Sequence, residues 1–376
     1  MDNEHGRDSV LGLSARGELM HVNDLDTPAL TVDLDILEDN ISRMQAFLDE
    51  RKIRCRPHIK THKIPAIAHM QLKAGAQGVT CQTLAEAEVM AASGIDDILL
   101  CFNIVGQGKL DRLARLAVKT SITVGIDSKV VARGISEAAA GYGATVGLVV
   151  ECDTGGRRTG VATAQAALAL AQIISRLPAV EFCGIMTYKG GFPEEGYNQA
   201  VDAFFRETLD LLVAGGLNAQ IVSAHATVYI LRDEWPYGIT ETRPGMYVYY
   251  DRMKVLQSPA TLEQCALTVR CTIVSRPTED RAIFDAGRKT FSNEGADLGM
   301  GLGYIVEYPE ATVYEMSEEH GHTDVSSCHP KPKVGERITV IPNYASLVTS
   351  LGEVVYGTRG EGIETVWAIA KRYINH

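Results

Sequence analysis

From about residue 30 to 250 the chain alternates short apolar, β-branched runs with longer amphipathic runs rich in Ala, Leu, Glu and Lys. Such alternation is the signature of repeated βα units, and it restricts the fold more than any other feature. Strand-like runs fall at residues 53–57, 78–81, 97–102, 121–127, 145–152, 180–188, 220–224 and 244–249. Between them, runs such as 64–74, 84–92, 132–140, 164–175 and 197–214 have helical length and an apolar stripe. Eight units in one domain predict an α/β fold, a (β/α)8 TIM-like barrel, whose usual size is about 250 residues. A doubly wound sheet is the competing architecture. It needs fewer parallel strands and usually a Gly-rich turn after the first, where this chain has Arg56-Pro57-His58-Ile59-Lys60.

After residue 260 the runs at 266–274, 281–285, 312–316, 336–341 and 365–370 are separated by turn residues, and helical periodicity largely disappears. This pattern predicts a C-terminal antiparallel β domain. The early strand 29–33, which precedes the barrel count, is expected to join it. The expected organisation is a flexible N-terminal arm over 1–25, a barrel over 26–255 and the β domain over 256–376, with 317–333 as a long loop.

The formal charge of -11 argues against nucleic acid or an anionic membrane as a partner, since both select surplus Lys and Arg. The first residues lack the apolar core of a signal peptide, so a cytoplasmic protein is expected. The eight cysteines are scattered without a Cys-x-x-Cys pair, which favours buried thiols over disulfides or structural zinc.

In a barrel of this type the active site is built from segments just behind the strands. Those segments are polar here: His58, Lys60, Thr61, His62 and Lys63 after the first, then Gln82, Asn103, Asp153, Arg157, Arg158, Tyr188 and Lys189. Ser223, His225 and Thr227 follow the seventh strand, and Tyr247 lies on the eighth. A lysine behind a strand among cationic neighbours suits imine formation. Spacing alone reads Lys60 and Lys63 equally well as solvated residues at a loop start. The small-residue turn Ser223-Ala224-His225-Ala226-Thr227 and the turn Arg243-Pro244-Gly245-Met246-Tyr247 could bind an anion through backbone N–H groups. Each is individually also an ordinary cap or turn; together they favour a phosphorylated cofactor.

Three segments, residues 27–35, Arg56-Pro57-His58-Ile59-Lys60-Thr61-His62-Lys63 and 78–88, resemble the D-threonine aldolase and D-serine dehydratase family. So do Glu151-Cys152-Asp153-Thr154-Gly155-Gly156-Arg157-Arg158-Thr159-Gly160-Val161, residues 243–251 and Ser317-Glu318-Glu319-His320-Gly321. The resemblance implies a fold-type III, alanine-racemase-like enzyme with pyridoxal 5'-phosphate, a small amino-acid substrate and a homodimer. It also implies that Lys60 forms the Schiff base and that His58, Gln82, Arg158 and Tyr188 line the cofactor. Ser223, Ala224, Thr227, Gly245, Met246 and Tyr247 match its phosphate cradle.

One family motif departs. Where relatives carry Pro-Asn-His-x-Cys or Pro-Asn-His-x-Asp, holding a divalent ion at the substrate β-hydroxyl, this chain reads Pro342-Asn343-Tyr344-Ala345-Ser346. Phenol and hydroxyl are not ordinary zinc or manganese ligands, so no metal is expected there. Lys189 and His225 also replace the usual residues. The first expectation is therefore a metal-independent lyase of the D-threonine aldolase type, with Lys189 or His225 deprotonating the β-hydroxyl. Alternatives are a racemase or epimerase pairing Lys60 with Tyr344, a D-serine-type dehydratase, and a non-catalytic cofactor-binding protein. Tyr344 also reads as a filler of vacated volume. His320, His322, Cys328 and His329 match no standard metal spacing.

Overall fold

A computed structural model describes residues 20–189, 194–225 and 227–370. In chain order, strand β1 (Ala29–Asp33) and helix α1 (Leu34–Glu50) precede β2 (Arg54–Cys55), α2 (Pro65–Ala74), β3 (Val79–Cys81) and α3 (Leu84–Ala92). Then come β4 (Asp97–Leu100), α4 (Gln107–Ala117), β5 (Ser121–Ile126), α5 (Lys129–Tyr142), β6 (Val146–Cys152), α6 (Ala164–Ile174), β7 (Val180–Thr187) and α7 (Tyr197–Ala214). The series ends with β8 (Ile221–Ala224), the short α8 (Thr227–Ile230) and β9 (Glu241–Thr242). Strands β2 to β9 form one parallel sheet in the order β2-β9-β8-β7-β6-β5-β4-β3. Bonds from Gln77 N to Cys55 O and Thr80 N to Pro57 O, both 2.8 Å, join its two edges and close the barrel.

The interior strands are nearly continuous apolar runs, as expected where both faces are covered. Val146, Leu148, Val149 and Val150 of β6 are fully buried, and Leu99, Val149 and Met186 form one small cluster. Side-chain caps start the helices: Thr83, Ser128 and Thr163 accept backbone N–H bonds at α3, α5 and α6. At α3 the cap also places a pocket residue, because the Glu86 carboxylate takes the N–H groups of Gln82 (2.7 Å) and Thr83 (3.2 Å).

The eighth barrel strand departs from expectation. It is Glu241–Thr242, whereas the aromatic run at 244–249 contains the 3-10 turn Met246–Val248, with Tyr249 N bonded to Met246 O. Glu241 is wholly buried and paired with Arg56 Nε at 3.1 Å. A polar strand made burial-compatible by a distant partner shows no apolar signature in sequence.

Residues 43–60 and 67–245 form one compact unit; residues 20–42, 61–66 and 246–370 form the other. Residues 246–255, expected in the barrel, therefore belong with the second unit, where Asn40 Nδ2 binds Val248 O and Tyr249 O accepts from Ala266 N. After α9 (Arg252–Gln257), this unit contains β10 (Leu267–Thr278), β11 (Arg281–Phe284), α10 (Arg288–Phe291), β12 (Tyr304–Ile305), β13 (Thr312–Met316), β14 (Gly321–Asp324) and β15 (Arg337–Ile341). It ends with α11 (Ala345–Leu351), β16 (Val354–Arg359) and β17 (Gly362–Ala368). The sheet order is β13-β14-β11-β10-β1-β16-β17, with β15 beside β10 and β12. β1 runs antiparallel to β10 and parallel to β16, so this sheet is mainly but not wholly antiparallel.

Two further expectations are corrected here. Part of the predicted loop 317–333 is β14, a Gly-His-Thr-Asp strand with little apolar content. A Cβ on its Gly321 would lie 2.0 Å from Phe284 Cζ, so the Phe284 ring supplies the bulk that β14 lacks. The predicted arm 1–25 is ordered at its end: Val22–Asp24 is a 3-10 turn, Val22 N bonds Glu361 O, and Leu25 is buried. Residues 1–19 lie outside the described residues.

Candidate active site

Lys60 belongs to the short 3-10 turn Ile59–Thr61 that follows β2. Around it His58, Gln82, Cys101, Arg158, Met186, Tyr188 and Arg243 line one pocket, Met186 from the end of β7 and the others from segments behind barrel strands. Five of the expected residues are thus brought together: Lys60, His58, Gln82, Arg158 and Tyr188. Cys101, Met186 and Arg243 are additions. The first two read as core in sequence, and Arg243 stood beside a Pro-Gly turn valued only for its backbone.

The pocket is cationic and its polar groups are ordered. Lys60 Nζ lies 5.4 Å and Arg158 Cζ 4.7 Å from the Tyr188 ring centre, both over its π face. Arg158 also reaches Glu151 Oε1 at 3.5 Å. Gln82 Nε2 donates to Cys101 O at 3.1 Å, which turns Oε1 toward His58 Nε2 at 3.3 Å. An amide oxygen only accepts, so His58 carries its proton on Nε2, leaving Nδ1 as acceptor for Lys60 N at 3.5 Å. Burial holds the His58 pKa well below the ordinary imidazole value, assisted by the Lys60 and Arg243 charges. Burial likewise raises the Cys101 thiol, so it is no ready nucleophile.

Other expected residues lie elsewhere. Lys189 forms an ion pair with Glu194 and sits 4.9 Å from the Tyr197 ring centre. His225 Nε2 donates to Glu234 O at 3.0 Å while its ring stacks on Tyr229. Neither lines the pocket with Lys60. Ser223 gives its proton to Glu241 Oε1 at 3.1 Å. Ala224 is buried at the end of β8, Ala226 lies outside the described residues, and Gly245 is half-buried beside Pro244. Thr227 Oγ1 is buried without a hydrogen-bond partner among the described residues.

Met246 and Tyr247 lie on the 3-10 turn of the second unit, both buried. That unit also holds Tyr344, at the N-cap of α11, and Ser346, at the edge of burial. Asn343 of the same turn is committed: its Oδ1 accepts from Arg252 Nη1 at 2.8 Å, and its Nδ2 donates to Glu294 O and Gly301 O. A phenol, a hydroxyl and an engaged amide do not make a divalent-metal ligand set. Among the described residues no three His, Cys, Asp or Glu side chains gather as a metal cluster, His320, His322, Cys328 and His329 included. None of the eight cysteines forms a disulfide with another. Among the described residues no helix is long and apolar enough to cross a membrane.

The donor set fits pyridoxal phosphate. A lysine amine and two guanidinium groups face one pocket, and a buried hydroxyl awaiting a partner stands behind β8. Comparison with known proteins agrees. The alanine racemase N-terminal domain matches residues 32–253, and the putative serine dehydratase domain matches residues 266–358. The chain is 32% identical over 368 residues to a D-threonine aldolase of Arthrobacter sp., covering 93% of each protein. The D-threonine aldolase structure from Filomicrobium marinum superposes with a TM-score of 0.86 at 30% identity, covering 94% of this chain and 98% of that one. D-threo-3-hydroxyaspartate dehydratase from Delftia sp. HT23 gives 0.87 at 26% identity, covering 94% and 100%. The chain therefore belongs to the fold-type III pyridoxal-phosphate enzymes that join an alanine racemase N-terminal domain to a serine dehydratase domain, the family of D-threonine aldolase.

Proposed function

We propose that this enzyme is a lyase of the D-threonine aldolase type, cleaving the Cα–Cβ bond of a D-β-hydroxy-amino acid without the metal of its relatives. The observation that carries the reading is the pocket itself: Lys60 beside two guanidinium groups and a neutral imidazole, with no carboxylate among the described residues that line it. A homodimer goes with this reading, as the family resemblance implies, and a cytoplasmic location is proposed with it.

Pyridoxal phosphate, when bound, supplies the electron sink for the pair left on the α-carbon as a bond breaks. The chain's residues divide the remaining work. Lys60 Nζ is the attachment point. Arg158 and Arg243 supply fixed positive charge for an anionic cofactor and a substrate carboxylate. His58 stays neutral and donates to Gln82, so it adds no fourth cation beside Lys60. Lys189 is held by Glu194 and His225 by Glu234 O. Lys60 Nζ would then be the amine of the pocket that receives the β-hydroxyl proton.

Incubation with D-threonine and D-phenylserine tests the reading. Aldehyde and glycine are the expected products. Keto acid with ammonia would instead support elimination, the reaction class in the name of the Delftia relative. Recovered substrate carrying solvent deuterium at the α-carbon would support a racemase.

A further inference from the structure

Arg243 is a buried cation whose guanidinium pairs with no carboxylate among the described residues. Its Nη2 donates to Thr187 O at 2.6 Å and its Nη1 to Ser223 Oγ, both neutral acceptors, while it is only 4% exposed. A lone buried guanidinium is costly unless a counter-charge is near. One carboxylate stands a single hydroxyl away. Ser223 Oγ accepts from Arg243 and gives its one proton to Glu241 Oε1 at 3.1 Å, and Glu241 Oε2 accepts from Arg56 Nε at 3.1 Å. Arg56 Nη1 then donates to Asp97 Oδ1 at 2.6 Å.

The direction of every bond is settled, because guanidinium only donates and carboxylate only accepts. The chain therefore runs Arg243 to Ser223 to Glu241, and Arg56 bridges Glu241 to Asp97. Its two cations and two anions balance. The strands build it: Glu241 of β9 stands in register with Ser223 on β8 and with Arg54 on β2, two residues before Arg56. Gly78 keeps the far end open, since a Cβ there would lie 2.8 Å from Arg56 Nη1 and 2.3 Å from Asp97 O. Ser223 thereby has no proton left for a phosphate oxygen.

We propose that Glu241 is a positioning residue that acts through Ser223 to fix Arg243 in the cofactor pocket, its negative charge held one hydroxyl away. A direct Glu–Arg contact would neutralise the guanidinium. The relay orients it while leaving its charge to the bound cofactor. This inference rests on the cofactor and not on which bond the enzyme breaks.

Titration of the apo-enzyme with pyridoxal phosphate, read by cofactor absorbance, tests it in Glu241→Gln, Ser223→Ala, Ser223→Thr and the Glu241→Gln/Ser223→Ala double variant. Each of the first two should raise Kd about tenfold, the range for a lost hydrogen bond to a charged group, and shift the absorbance maximum of the bound cofactor. The double variant should be no worse than the weaker single, because both changes break one relay. Ser223→Thr keeps the hydroxyl on a strand position that accepts branching, so it should restore both readouts. Multiplicative losses in the double variant would overturn the relay, as would parental Kd and spectrum in Ser223→Ala. So would a Glu241→Gln protein whose only change is a lower Tm with the spectrum intact.

Discussion

His58 Nε2 lies 3.3 Å from Gln82 Oε1, and Gln82 is itself turned by its bond to Cys101 O at 3.1 Å. This pair fixes the histidine tautomer before any ligand arrives, and burial keeps the ring neutral. Gln82→Leu removes the acceptor and leaves a buried N–H without a partner, a loss of about 1 to 3 kcal/mol. The expected outcome is weaker pyridoxal phosphate binding by roughly tenfold, measured by absorbance titration, with far-ultraviolet circular dichroism unchanged.

Lys60 and Lys63 are separated by three positions but not by chemistry in the sequence, since both follow the first barrel strand. In the structure Lys60 lines the pocket, while Lys63 Nζ donates to Ser350 Oγ at 2.9 Å within the second unit. Borohydride reduction of the holoenzyme followed by peptide mapping should place the pyridoxyl group on Lys60. Lys60→Ala should lose the reducible adduct and the activity together. Label on Lys63 would assign attachment to the wrong lysine.

His225 gives a pH prediction with a definite sign. Burial lowers its pKa to about 4, against 6.5 when unfolded. The unfolded chain therefore takes up the proton first as pH falls. The histidine's contribution is complete above about pH 6.5 and is lost progressively down to about pH 4. At pH 5 the loss is about 2 kcal/mol. His225→Gln keeps a donor for Glu234 O but does not titrate. The denaturation midpoint of this variant should fall less between pH 7.5 and 5 than that of the parent; equal falls would show that His225 is not buried neutral.

The turn at Tyr344 and Ser346 predicts a gain of function in metal binding. Tyr344→His with Ser346→Cys recreates the ligand pair of the family motif. The double variant should retain zinc or manganese through desalting, at about one ion per chain by elemental analysis. The parent should retain none at this position.

Much of the architecture was legible because it repeats. Parallel strands buried on both faces read as apolar runs, and the helical runs expected at 84–92 and 164–175 begin where the structure places the Thr83 and Thr163 caps of α3 and α6. What escaped were elements whose burial depends on distant partners. Glu241–Thr242 is a polar strand made tolerable by Arg56, and Gly321 of β14 is covered by Phe284. The same reason divides the pocket. Lys60, His58, Gln82, Arg158 and Tyr188 follow strand ends and could be found by position. Arg243 acquires its surroundings from Thr187 and Ser223, which no local pattern announces. Lys189 and His225 also follow strand ends, yet Glu194 and Glu234 draw them to other contacts.

Aldehyde release from D-threonine and D-phenylserine, assayed before and after exhaustive treatment with EDTA, tests the central claim most directly. Metal-independent cleavage by the Lys60 pocket predicts the same rate in both samples, with no stimulation by added manganese or zinc. Release that disappears on chelation and returns with either ion would contradict it.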